Sequence, residues 1–318
     1  MSEFDGLGIA IVGPGAIGDM HASALATSGV RVRAVVGPVA AEVDAFADKH
    51  NVPRRYAELD GLLDADDIDG VIVATPSHLH ADQSIRVLRA GKHVLSEIPL
   101  GLSLADAQSV ADCARQVGKI AMVGHTLRYW EPHRRLQEAL AELEIVPSQV
   151  VVRSVMLRQS NVGWTGRQRD WTDSVLWHHG GHAVDAALWH LREGGTVDVA
   201  GGCGPTWPGT GTEMDVTTVL TTADRRLASV SLSYHSRMSF SDFLVISPDH
   251  TLYVTDGKLL VDGAVGYDAG GAAEAQSAAV VAQDRDFVRA IHGGSSPEVT
   301  ADDVLPAMRV LQALAGGA

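Results

Sequence analysis

The sequence predicts an α/β protein. An N-terminal Rossmann domain with a doubly wound parallel sheet precedes an α+β domain with an open, mostly antiparallel sheet. Three observations predict this. Short β-branched apolar runs alternate with helical patterns as far as Gly124. A glycine-rich turn, Gly13-Pro-Gly-Ala-Ile-Gly18, follows the first of those runs. Beyond Gly124 the pattern shifts to strands of alternating polarity.

The apolar runs occupy residues 8–12, 30–36, 70–74, 93–95 and 120–124. Runs this short and continuous suit strands covered on both faces. Helical patterns fill residues 16–27, 39–50, 79–90 and 104–117. Such alternation builds βαβ units and a parallel sheet. A helix is then predicted over 131–144, with Pro132 in its first turn, where proline is tolerated. Strands follow at 149–156, 214–220 and 227–234, interrupted by a helix over 176–191. The Gly/Ala stretch 263–273 reads as a loop, and helices are expected at 280–291 and 302–315. The division is a dinucleotide-binding domain over 1–125 and a substrate-binding and oligomerisation domain over 126–318, with the last helices able to pack back on the first. No internal repeat is present.

With 318 residues and 46% hydrophobic content, the chain can build two cores unaided. Two cysteines exclude a disulfide framework and suit a reduced, cytoplasmic compartment. No signal peptide is expected from the acidic first residues, and no apolar stretch is long enough for a membrane span. A formal charge of −14 repels phosphate backbones, so the expected partner is a small molecule and neither nucleic acid nor a membrane.

The glycine turn carries the cofactor reading. Gly13 allows the tight turn, Gly15 lets the backbone approach a pyrophosphate, and Gly18 lets helix and strand pack closely. The phosphate then sits on the helix start, at Ala16 and Ile17. Thr75, Pro76 and His80 follow the third apolar run, and Glu97 follows the fourth, both on the side where such sheets bind ligands. NAD sites place an acid near the end of the second strand. Here Gly37-Pro38 stands there, and no acid occurs before Glu42. The missing acid favours NADP; no arginine replaces it, so NAD stays open.

Two constellations point to the substrate. No acid lies between Glu144 and Asp170, whereas Arg153, Arg158, Arg167 and Arg169 do. Guanidinium groups bind carboxylates through paired hydrogen bonds, so this window suggests a substrate with more than one carboxylate. On a regular strand Arg153 and Arg158 point to opposite faces, and only one of them reaches the site. The second constellation is Leu176-Trp-His-His-Gly-Gly-His-Ala-Val-Asp185. His178, His182 and Asp185 share a helix face, while His179 points about 100° away. The Glu of H-E-x-x-H is absent, so no metal site is expected. A neutral imidazole suits the removal of an alcohol proton.

Taken together, Gly13–Gly18, Thr75-Pro76, Glu97-Ile-Pro99 and the histidine-bearing helix resemble the Gfo/Idh/MocA oxidoreductases along essentially the whole chain. The resemblance implies a Rossmann domain, an open sheet that often carries oligomerisation, and hence a homodimer or homotetramer. The family's usual Glu-Lys-Pro motif, whose lysine assists catalysis, has Ile98 here. Its Asp-x-x-x-His pair is here His178 and His182, so the lysine's role passes to them, His178 ahead of His182, with Asp185 able to orient His182. Glu97-Ile-Pro-Leu100, Met122-Val-Gly-His-Thr126, Trp171-Thr-Asp173 and Leu176-Trp-His-His179 resemble a subgroup that oxidises a carboxylated cyclic hemiacetal with NADP. The expected substrate-binding set is His125, Arg128, Arg158, Arg167, Arg169 and His179. The competing readings are a sugar or polyol dehydrogenase and a non-catalytic NAD(P)-binding sensor.

Overall fold

The computed structural model describes residues 3–4, 6–158 and 174–316. The chain divides into two compact units. Unit 1 holds residues 1–124 and 280–302; unit 2 holds residues 125–279 and 303–318.

Unit 1 begins β1 (Ile9–Val12), α1 (Ala16–Thr27), β2 (Val32–Val36), α2 (Ala40–His50), β3 (Arg54–Tyr56) and α3 (Asp60–Leu63). It continues β4 (Gly70–Val73), α4 (His80–Arg89), β5 (His93–Ser96), α5 (Leu104–Val117) and β6 (Ala121–Val123). The strands form one sheet in the order β3-β2-β1-β4-β5-β6, parallel throughout. Every residue of β1 and β4 is buried, which is why these strands are unbroken apolar runs. The edge strand β3 is short and charged and pairs only with β2, so it left no apolar signal. The helices follow from local chemistry: α5, for example, starts where the Ser103 hydroxyl accepts the Asp106 N–H (3.1 Å) and stops at left-handed Gly118. Strand order reverses at β1, which opens a crevice at the carboxyl ends of β1 and β4.

Unit 2 contains α6 (Glu131–Glu142), β7 (Gln149–Leu157), α7 (Val175–Leu191), β8 (Asp198–Cys203), β9 (Thr206–Trp207) and β10 (Thr212–Glu213). Then come β11 (Asp215–Thr221), β12 (Leu227–Ser233), β13 (His235–Ile246), β14 (Thr251–Thr255), β15 (Lys258–Val261) and β16 (Ala264–Asp268). The helices α8 (Ala272–Gly293) and α9 (Leu305–Ala315) follow. Residues 280–293 of α8 belong to unit 1. Its side chains Phe287 and Ile291 lie so close to the Gly70 backbone that a Cβ there would stand 2.7 Å from Ile291 Cδ1.

Eight strands make the large sheet, β16-β15-β14-β13-β7-β12-β11-β8. Only β7 and β12 run parallel; the other pairs are antiparallel, the mostly antiparallel sheet expected. Buried residues alternate along β11 and β12, and α7 covers that face with α9 against it. Gly180 makes this approach possible: a Cβ there would stand 3.2 Å from a Leu311 methyl.

One expectation is corrected. Residues 263–273, read as a loop, instead form β16 and the start of α8. Asp262 and Gly263 have φ of 51° and 84°, and Asp256 and Gly257 have φ of 46° and 74°. Two consecutive positive φ values turn a chain back on itself in step with strand twist, so each Asp-Gly pair closes a hairpin.

Candidate active site

The glycines after β1 do three different jobs. Gly13 has φ of 104°, and a side chain there would strike the Ala74 carbonyl. Gly18 presses its backbone on Gly13 and Ile11, so any Cβ would break the contact of helix with turn. At Gly15 a Cβ would meet nothing within 4 Å. Gly15 is also the N-cap of α1 and supplies no capping side chain. The first-turn N–H groups of α1, those of Ala16 and Ile17 among them, have no acceptor within the helix, as anion binding at a helix start requires. This cradle fits the pyrophosphate of a dinucleotide, and a larger residue at 15 would fill it. Gly37, in the position of the absent acid, is constrained by packing. A Cβ there would stand 2.7 Å from Pro14 Cδ.

Two further turns lie at the carboxyl ends of β4 and β5. The Thr75 hydroxyl donates to Gln83 Oε1 (2.6 Å), and Pro76 leads into a single helical turn, Ser77–Leu79. His80 is buried, with its ring nitrogens 2.8 Å from the Pro99 carbonyl and 2.7 Å from the Thr75 carbonyl. It ties the two turns together.

Glu97 donates its N–H to Val73 O (2.9 Å) and accepts from His21 Nε2 at its Oε1 (3.0 Å). His21 Nδ1 in turn lies 2.9 Å from both carboxylate oxygens of Asp284. Burial presses the His21 pKa down, but Asp284 and Glu97 outweigh it and push it up to about 10. Sequence reasoning missed His21 and Asp284. They stand 263 positions apart, and a histidine inside an ordinary helix carries no local signal of a distant carboxylate.

In unit 2 the structure gathers Arg158, His178, His179 and Tyr234. Arg158 Nη1 donates to His178 Nδ1 (3.0 Å), since a guanidinium cannot accept. The buried Tyr234 hydroxyl lies 2.9 Å from His178 Nδ1 and 2.6 Å from His179 Nδ1. Burial, helped by His182 and Arg158, pushes the His179 pKa down to about 3, so this imidazole is neutral. Tyr234 is a further residue the sequence reading missed, although it ends the strand predicted over 227–234.

His182 lies one helical turn beyond His178. Its ring stands edge-on to His125, with centroids 5.7 Å apart. The Asp185 carboxylate is gripped by Arg128 at both oxygens (2.8 and 2.7 Å), and His125 Nδ1 stands 3.4 Å from it. Burial raises the Asp185 pKa, but His125 and Arg128 outweigh it and hold the carboxyl below its usual range. Arg128 thus compensates a buried carboxylate.

Arg153 and Arg158 have separate fates. Arg153 grips Asp242, whose carboxylate also accepts from the Tyr253 hydroxyl (2.9 Å), whereas Arg158 joins the histidines. Arg167, Arg169 and the motif at 171–173 lie outside the described residues. Among the described residues, no three His, Cys, Asp or Glu side chains group as metal ligands do, and no helix is long and apolar enough to cross a membrane.

Comparison with known proteins agrees with this fold. Residues 7–125 match the model of the oxidoreductase family with an NAD-binding Rossmann fold (Gfo/Idh/MocA), and residues 132–267 match the bacterial oxidoreductase C-terminal model. The chain is 32% identical over 304 residues to a Sphingobium 4-carboxy-2-hydroxymuconate-6-semialdehyde dehydrogenase, covering 95% of this chain and 96% of that one. It is 29% identical over 187 residues to inositol 2-dehydrogenase of Salmonella typhimurium, covering 58% of this chain and 54% of that one. In fold it superposes on GenD2 from gentamicin A biosynthesis, solved with NAD, with a TM-score of 0.83, 23% identity, and coverage of 98% and 93%. The chain belongs to the Gfo/Idh/MocA family and is an NAD-dependent oxidoreductase.

Proposed function

We propose that this chain oxidises the cyclic hemiacetal of 4-carboxy-2-hydroxymuconate-6-semialdehyde to 2-pyrone-4,6-dicarboxylate, a step in aromatic-acid catabolism. The observation that carries the reading is the full-length similarity to a dehydrogenase of that name. The Arg158–His178–His179–Tyr234 cluster supports it, because it sets a guanidinium beside His178 and the neutral His179 imidazole. A guanidinium binds a substrate carboxylate, and neutral imidazoles serve the hydroxyl.

Oxidation of a hemiacetal removes hydride from carbon and a proton from its hydroxyl. When bound, the nicotinamide accepts the hydride. The proton goes to a side chain, and the geometry favours His182 over His178. Arg158 donates to His178 Nδ1, which leaves the proton of that neutral ring on Nε2 and makes His178 a donor toward substrate. His182 shares an electrostatic interaction with the ionised Asp185, which stabilises the imidazolium formed when His182 takes a proton. Arg158, with Arg167 and Arg169, holds the carboxylates.

Gly13, Gly15, Ala16, Ile17, Gly18, Thr75, Pro76 and Glu97 hold the cofactor in this reading, with His80 bracing the turns. NADP is accepted beside NAD. No acid follows β2 to repel a 2′-phosphate, and the nearby cations Lys49 and Arg55 are already paired with Asp19, Asp44 and Asp48. Comparable kcat/KM for the two cofactors, within about tenfold, is expected. The protein is a homodimer or homotetramer through the large sheet, whose outward face carries Val151, Val219 and Leu244 in one cross-strand row.

The test is a panel of carboxylated hemiacetals, sugars and polyols with both cofactors, followed at the nicotinamide absorbance. Turnover of the dicarboxylated hemiacetal supports the reading. Turnover confined to uncharged sugars or polyols sinks it.

A further inference from the structure

We propose that the Asp284–His21 pair is a positioning device: it clamps Glu97 and fixes the direction in which that carboxylate is presented to the bound cofactor. The inference rests on the reading of Glu97 as a cofactor-binding residue.

The three side chains form one line of decreasing burial. Asp284, on α8, is 0% exposed, His21, on α1, is 1%, and Glu97, just after β5, is 18%. The line therefore begins in the interior of unit 1 and reaches solvent only at Glu97. Each link has hydrogen-bond geometry: 2.9 Å from each Asp284 oxygen to His21 Nδ1, and 3.0 Å from His21 Nε2 to Glu97 Oε1. A carboxylate accepts and cannot donate, so with both ring nitrogens facing carboxylates the imidazole carries both protons. Gly124 completes the clamp from the other side. A Cβ there would stand 2.7 Å from Glu97 Oε1 and 3.4 Å from Oε2, so the missing side chain leaves the carboxylate its place.

Packing alone gives no reason for this arrangement. Apolar side chains of the same volume often stabilise a fold as well as a buried cation between carboxylates, or better. An exposed glutamate would turn freely and lose rotamer entropy on meeting a ligand. A clamped one has lost it already. The hydroxyl groups of a dinucleotide's riboses are donors of the kind such a fixed acceptor selects.

The groups facing His21 are Asp284 from α8 and Glu97 from the end of β5; the nearest acid on its own helix, Asp19, is paired with Lys49 and His50. Burial pushes the His21 pKa down and the Asp284 carboxyl up, while the two carboxylates draw His21 up to about 10. The clamp holds its charge through neutral pH and opens as His21 loses a proton.

The experiment is direct binding of NADH to the whole protein, read by nicotinamide fluorescence. Glu97→Gln, His21→Asn and Asp284→Asn should each raise Kd about tenfold, the loss of one charged hydrogen bond. Asp284→Asn should add nothing in the Glu97→Gln background, because it acts through Glu97. Additive losses overturn the proposal. An unchanged Kd in Glu97→Gln overturns the reading of Glu97 itself. Should His21→Asn fail to fold, the Asp284/Glu97 cycle and the unmodified protein still decide. Kd should stay flat from neutral pH to about 9 and rise as pH passes about 10, and Asp284→Asn should move that rise toward neutrality. A rise that stays at the same pH in Asp284→Asn also overturns the proposal.

Discussion

His21 in unit 1 and the pair His133–His190 in unit 2 are equally buried, yet their protons lie in opposite places. His21 stands between two carboxylates and is pushed up to about 10. His133 stacks on His190, Nδ1 to Nε2 at 2.8 Å, and burial pushes it down to about 3. Gln137 Nε2 donates to His190 Nδ1 (2.9 Å), so His190 carries its proton on Nε2 and donates to His133. Burial is common to both places; the partner decides the charge. The same rule distinguishes the candidate groups of the two units. Unit 1 offers fixed backbone donors and a clamped carboxylate, while unit 2 offers His179, neutral beside Arg158.

The largest expected effect tests the fixed half. Gly15→Val fills the space that a Cβ at Gly15 opens onto, and NADH binding should weaken by more than about a hundredfold. Unchanged fluorescence titration of a folded variant would break the assignment of unit 1. Next comes His182, the proton acceptor we propose. His182→Asn should lower kcat by about a hundredfold, and His178→Asn, which removes a donor and a partner of Arg158, should weigh more on KM. Equal kcat losses in both would return His178 to the role of base.

The charge contrast sets a pH window for folding. Between about pH 6.5 and 3 the unfolded chain binds a proton that folded His133 refuses, so stability is full above 6.5 and falls as pH drops. His21 works the other way. Its contribution is full below 6.5 and is lost as pH rises toward about 10. Tm should therefore fall at either end. His133→Phe should soften the acid limb alone. An acid limb unaltered by that change would show that His133 is not its source.

Unit 1 was more legible in the sequence than unit 2, for physical reasons. Strands buried on both faces must be apolar throughout, so β1, β4 and β5 announced themselves, and the Gly13–Gly18 turn carries its own spacing. In unit 2 the ribbon β13–β16 faces solvent in part, and the Gly/Ala stretch 263–273 at its end resembled a loop. Its Asp256-Gly257 and Asp262-Gly263 turns were the readable signal. On the candidate site, the helix face shared by His178 and His182 follows from spacing alone. Tyr234, His21 and Asp284 arrive from distant strands and helices, and only tertiary packing brings them to their partners.

The smallest effect comes from the arginine window, where the sequence set Arg153 and Arg158 on opposite faces of one strand. Arg158→Lys keeps the charge but loses the planar fork beside His178, and should cost about 2 kcal/mol in kcat/KM, roughly thirtyfold. Arg153→Gln should leave kcat/KM within about twofold and change stability by less than about 1 kcal/mol. Its guanidinium is half exposed, where an ion pair contributes little. Asp242, the buried partner, keeps the Tyr253 hydroxyl at 2.9 Å when Arg153 is gone, so it is not stranded without a donor. Steady-state kinetics on the two variants, with the dicarboxylated hemiacetal and with an uncharged analogue, separates the roles. Arg158→Lys should lose its effect on the uncharged analogue, whereas Arg153→Gln should be indifferent to both. A loss in Arg153→Gln that matches Arg158→Lys, and that depends on the carboxylates, would place both faces of the strand on the substrate and remove the distinction between an arginine that braces the sheet and one that serves the site.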